Sequence, residues 1–217
     1  MSEQLYKVLH RDGIRLVSCN GGRQEWMPGV KVEAKGPLVP CANGIHLCRT
    51  KDLIHWLNDT ICPVRRASRE RIVCDDKVVV RWAIIGEPLE TWNDHAARLF
   101  ACDCAEWALT LIEQPDPRSV DAIRVARLHA IGEATSEELS AAWSAAGSAA
   151  GSAAWSAAES AAGSAAWSAA WSAAGSAAWS AAWSAAGSAA GSAAWSAAWV
   201  HMTERLSEYL AGKEKET

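Results

Sequence analysis

The chain has 217 residues, half of them apolar, and 21 Lys and Arg against 25 Asp and Glu give a formal charge of −4. That balance excludes the strong basic field that grips nucleic acid, so no nucleic-acid partner is expected. Seven cysteines without a disulfide-framework spacing, and an opening from Met1 to Tyr6 with no apolar stretch behind it, imply reduced thiols and a cytoplasmic setting, in a bacterial host or phage-infected cell.

Residues 1–90 read as a small α+β domain. Tyr6 to His10 and Ile14 to Ser18 are short β-rich runs around Arg11-Asp12-Gly13, a hairpin signal. Asn20-Gly21-Gly22 and Met27-Pro28-Gly29 predict loops. Lys51 to Leu57 predicts a short helix capped by Thr50, with Leu53, Ile54 and Leu57 buried. Arg65, Arg66, Arg69 and Arg71 stand near Glu70, Asp75 and Asp76 and read as a charge-balanced loop. Lys77 to Gly86 is nearly all apolar and predicts one strand at a sheet centre.

Residues 91–135 predict a helical connector. Ala97, Phe100, Ala101, Cys104, Trp107, Ala108 and Leu111 recur at helical spacing, Pro115-Asp116-Pro117 breaks the run, and Ser119 to Ala130 resumes it up to Gly132. Thr135 followed by Glu138 is a capping box for the next helix.

From Ser140 to Trp199 the chain repeats Ser-Ala-Ala-X fifteen times, inside a repeat region of residues 136–212 that closes with a C-terminal helix and is followed by a polar tail, 213–217. X is Trp at 143, 155, 167, 171, 179, 183, 195 and 199, Gly at 147, 151, 163, 175, 187 and 191, and Glu at 159. Gly151, Gly163, Gly175 and Gly187 are twelve apart. Alanine favours an all-α region. Four residues per repeat turn a helix ~400°, so the X positions creep ~40° per repeat and carry tryptophan to every side. Packing against further helices would bury those indoles between small residues, so Trp143, Trp155, Trp167, Trp171, Trp179, Trp183, Trp195 and Trp199, with the four spaced glycines, are the candidate interaction residues. The alternative architecture is a solenoid of twelve residues per coil. A membrane span is not expected, because Ser stands at every fourth place and branched aliphatics are nearly absent.

Cys104-Ala105-Glu106, Asp116-Pro117-Arg118, Ala122-Ile123 and Gly132-Glu133-Ala134-Thr135, running into the Ser-Ala-Ala repeats, resemble bacterial and phage proteins labelled immunity proteins of toxin systems; the likeness covers residues 95–200. The run from Pro37 to Cys48, and Asp75-Asp76-Lys77-Val78-Val79, resemble a phage-associated domain of unknown function that precedes such repeats. The resemblance implies long Ala-rich helices and a role in phage–host or toxin–immunity conflict, and brings no established activity. This chain departs from it in having Trp and Gly where the relatives carry charged residues such as Arg, which favours burial or self-association.

Cys41, His46 and Cys48 are candidate metal ligands, although Cys-x4-His-x-Cys is not a standard zinc spacing and a fourth ligand would have to come from Cys19, Cys62 or Cys74. No Gly-rich phosphate loop, nucleophile elbow or HExxH occurs, and no cofactor is expected. The expected function is that of a non-enzymatic accessory protein whose repeat drives self-association, as a homo-oligomer, or binds a protein partner. The alternatives are a nucleotide-using, ADP-ribosyl-transfer-like enzyme built on His46, Arg49, Arg81 and Glu87 or Glu90, with the repeat as an oligomerisation stem, and a membrane-active repeat.

Overall fold

A computed structural model describes residues 3–19, 23–110, 113–150 and 192–213. The chain divides into two compact units, Met1–Asn93 and Asp94–Thr217. The first is mainly β and the second helical.

The first unit holds nine strands among the described residues: β1 (Leu5–Asp12), β2 (Arg15–Ser18), β3 (Glu25–Trp26), β4 (Lys31–Glu33), β5 (Ile45–Arg49), β6 (Thr60–Ala67), β7 (Arg71–Val73), β8 (Val78–Val80) and β9 (Trp82–Ile85). All pairings are antiparallel, in the order β4-β9-β6-β1-β5-β8-β7, with the β2–β3 pair attached to β1. The single strand predicted from Lys77 to Gly86 is two, broken at Arg81. The Arg81 guanidinium bonds Glu70 Oε1 and Oε2 at 2.5 and 3.1 Å and also reaches the Ala34 and Gly36 carbonyls. Between β8 and β9 in the sheet lie β5, β1 and β6. Four steps of ~4.8 Å would part them by about 19 Å in a flat sheet. Arg81 bridges only about 7 Å between the Cα atoms on either side of it. The sheet therefore curls until its arms meet there, enclosing Leu9, Leu16, Trp26, Ile45, Leu47, Val78, Val80, Ala83 and Ile85 as a core.

Two more expectations change. The predicted helix over Lys51–Leu57 is a 3-10 helix, Thr50–His55, and its start is held by Asp52 rather than Thr50. The Asp52 carboxylate accepts the Arg49 N–H at 2.9 Å and the Arg49 guanidinium at 2.5 and 2.9 Å. The arginine-rich stretch predicted as a loop contributes to two strands: Arg65 and Arg66 lie in β6, which is bulged between Val64 and Arg66, and Arg71 opens β7.

The described helices of the second unit are α1 (Asp94–Leu109), α2 (Pro117–Ala130), α3 (Ser136–Ala150) and α4 (Ser192–Leu210). Asp116 caps α2 by accepting the Arg118 N–H at 2.8 Å, with Pro117 in the first turn. At α3 the capping box is reciprocal: Glu138 N–H donates to Thr135 Oγ1 at 3.1 Å and Thr135 N–H to Glu138 Oε2 at 2.8 Å. Cys102, Ala105, Leu109, Ile123, Ala126 and Leu139 join α1, α2 and α3 in one apolar cluster. No described helix is long and apolar enough to cross a membrane.

Candidate functional site

Strand β1 changes partners along one edge. Leu5 and Tyr6 pair with Arg49 and Cys48 of β5, while Leu9 to Asp12 pair with β2. Between them Lys7 and Val8 have no paired residue on that side: the β1–β5 register ends at Tyr6–Cys48, and Ile45 to Leu47 of β5 are paired with β8 on the opposite edge. On the other edge both stay paired, with Cys62 and Ile61 of β6. The sheet is thus forked at Lys7, and a cleft of about 650 Å³ opens there. That volume falls in the usual range for small-molecule sites.

Positive charge dominates the cleft wall, which carries Lys7, Lys77 and Arg23 against Glu33. Lys7 is 8% exposed. Its Nζ donates to the His46 carbonyl at 3.1 Å and lies 5.3 Å from the centre of the Trp26 ring. Burial pulls its ammonium below the ordinary lysine value. Lys77, 7% exposed, sits 4.7 Å over the Trp56 ring and donates to both Asp76 oxygens at 3.0 Å. Burial works against its charge, but Asp76 and the nearby Cys41 thiol raise its pKa overall. Trp26 and Trp56 are themselves fixed, their indole N–H groups donating to Ser18 Oγ and the Asp76 carbonyl at 2.9 Å. Each ammonium is therefore held over an immobilised aromatic face.

The rim is the loop before β5. Asn43 Nδ2 donates to the Lys35 and Pro37 carbonyls at 2.7 and 2.6 Å. Cys41 takes a left-handed conformation at φ 65°, and its N–H donates to His46 Nε2 at 3.1 Å. Accepting at Nε2 leaves the neutral ring's proton on Nδ1. Burial first, then the charges of Lys7 and Lys77, lowers the His46 pKa. Gly44 follows at φ 135°, where a Cβ would lie 2.4 Å from Val79 Cγ1, so no larger residue fits.

The sequence-derived candidates are only partly brought together. Cys41, His46 and Cys48 all line the cleft, yet among the described residues no three His, Cys, Asp or Glu side chains group as metal ligands. His46 Nε2 is already engaged, and burial pushes the Cys48 thiol up to about 12, against the thiolate a metal needs. Of the nucleotide-binding set only His46 faces the cleft: Arg49 is committed to Asp52 and Arg81 to Glu70. Lys7, Lys77, Trp26 and Trp56 were not singled out from the sequence. One signal was there, a lysine between Leu5 and Leu9 on the same face of β1.

In the helical unit, Ser140–Ala150 of the repeat lie on α3 and Ser192–Trp199 on α4, so both described ends of the run are α-helical. Trp143 and Trp195 fall on these helices, and Trp199 is half-buried. Trp155, Trp167, Trp171, Trp179, Trp183, Gly151, Gly163, Gly175 and Gly187 lie outside the described residues. The helix beyond the run is tied down by charge. Buried Asp103 of α1 accepts from Arg127 of α2 at 2.7 Å, from Arg205 Nε of α4, and from the Tyr209 hydroxyl at 3.0 Å. Tyr209 packs edge-on against Phe100 at 5.8 Å, and His201 stacks on Trp107 at 5.0 Å.

No family model, curated protein or solved structure matches the chain.

Proposed function

We propose that the chain is a non-enzymatic accessory protein whose Ser-Ala-Ala-X run mediates self-association, displayed from the helical unit. The supporting observation is that the run starts and finishes inside one folded unit. It follows Leu139, buried in the α1–α2–α3 cluster, and it ends in α4, which Asp103 holds through Arg205 and Tyr209. Covalent continuity at both ends makes the run part of this unit rather than a trailing tail.

Its chemistry suits helix-to-helix contact. The Ser144 hydroxyl donates to the Ser140 carbonyl at 2.9 Å, one repeat back. A serine bonded this way satisfies its own donor within the helix. Small residues at fixed spacing let backbones approach, and tryptophan fills the space between them. In this reading other copies of the chain cover the indoles, and the setting is the phage–host or toxin–immunity conflict that the resemblance implies.

Light scattering on the full chain, beside a variant with residues 151–191 replaced by a short Gly-Ser linker, tests the proposal. The full chain is expected to form a defined oligomer and the linker variant a monomer. A monomeric full chain, or a linker variant that assembles equally well, overturns it.

A further inference from the structure

We propose that the cleft at the fork of the sheet binds a phosphorylated small molecule of about mononucleotide size, with Lys7, Lys77 and the His46 Nδ1–H as donors to the phosphate. The inference concerns the first unit and stands apart from the role of the repeat.

Lys7 carries it. An ammonium has three N–H donors and no acceptor. Among the described residues, the acceptor for the Lys7 Nζ is the His46 carbonyl, and no carboxylate pairs with it. The remaining donors sit on a side chain 8% exposed that lines the cleft. A buried charge left in this state is costly unless something else completes its coordination, and an anion would do so. The lowered pKa of Lys7 has the same origin.

The other groups define the ligand's chemistry. Lys77 brings a second ammonium, steered by Asp76 and the Trp56 face. His46 is bonded at Nε2 by the Cys41 N–H, which leaves Nδ1–H to donate without an acceptor among the described residues. Two point charges and one directed N–H suit the three terminal oxygens of a phosphate. Arg23, also on the cleft wall, adds a guanidinium whose fork matches phosphate oxygens. The roughly 650 Å³ of the cleft exceeds what a bare phosphate fills and leaves room for the group that bears it.

Calorimetric titration of the full chain with inorganic phosphate, pyrophosphate, AMP and adenosine tests this. Pyrophosphate and AMP are expected to bind, with adenosine at least about tenfold weaker than AMP. Lys7→Met and Lys77→Met should each weaken AMP by about tenfold or more, the scale of one charge-assisted bond. Arg124→Ala, a surface change in the helical unit, should stay within about twofold of wild type. Melting curves establish that each variant folds. Lys7→Met keeps the apolar stem while removing a buried charge, and Lys77→Met provides a second, independent probe. The proposal is overturned if wild type takes up none of the three phosphates, if adenosine binds as tightly as AMP, or if either folded lysine variant binds AMP like wild type.

Discussion

Lys7 is a charge placed where the alternation of its strand puts leucine, and the fold tolerates it by offering one carbonyl and one indole face. Removing a buried charge while keeping the hydrocarbon stem is commonly neutral or stabilising. Lys7→Met is expected to raise the ligand-free melting temperature by about 2–4 °C, the shift that ~1 kcal/mol produces in a chain of this size. Circular dichroism melts check it, and a lower melting temperature contradicts the burial argument. Asp103 is the opposite case, a charge with several partners. Asp103→Ala leaves Arg127 and Arg205 without their shared carboxylate in a buried site and should cost about 3–5 kcal/mol in urea unfolding of the helical unit. The cysteines divide by the same logic. Cys41 is exposed on the rim, whereas burial lifts Cys48, Cys62 and Cys102 to about 12. Iodoacetamide followed by mass mapping should mark Cys41 well before those three.

At the scale of elements, Gly44 sets the rim of the cleft. Gly44→Ala drives a methyl into Val79 Cγ1 at a φ that L residues avoid. It should destabilise the first unit by about 1–3 kcal/mol, read as a lower urea midpoint. Legibility follows how local each cause is. The Thr135–Glu138 box could be read from the sequence because cap and helix are neighbours in the chain. Pro115-Asp116-Pro117, by contrast, reads as a break with a helix following from Ser119, whereas that helix starts at Pro117 under the Asp116 cap. Strand β6 was not legible, since Pro63, Arg65 and Arg66 interrupt the apolar pattern that a central strand normally shows. The break at Arg81 was hidden for the opposite reason: residues on both sides are apolar, and what separates them is Glu70 and the carbonyls of Ala34 and Gly36, far away in sequence. The cleft could not be foreseen from periodicity at all. It exists because the β1–β5 ladder stops at Tyr6–Cys48 before β2 takes up that edge at Leu9, and the first pairing is made between segments about forty residues apart.

The whole molecule responds to pH through its thiols. Cys19, ordinarily 9.0, is raised by burial to about 11, and Cys48, Cys62 and Cys102 to about 12. Between these values the native state keeps protons that the unfolded chain has released, so stability is complete below pH 9 and falls as pH rises through the native values. Lys7, lowered by burial, acts with the opposite sign, but it stands against these four thiols together with Cys104 and Tyr209, which burial raises as well. Under reducing conditions the melting temperature should hold to about pH 9 and then decline; a flat profile to pH 11 contradicts the burial of these thiols. The fastening of the repeat at both ends has a consequence of another kind. A run built from one tetrapeptide can be lengthened or shortened by whole units. Any whole unit added or dropped between Ala150 and Ser192 leaves Leu139, Asp103, Arg205 and Tyr209 untouched. Copy number becomes a quantity that an engineered series can vary while the residues that fasten the run stay the same.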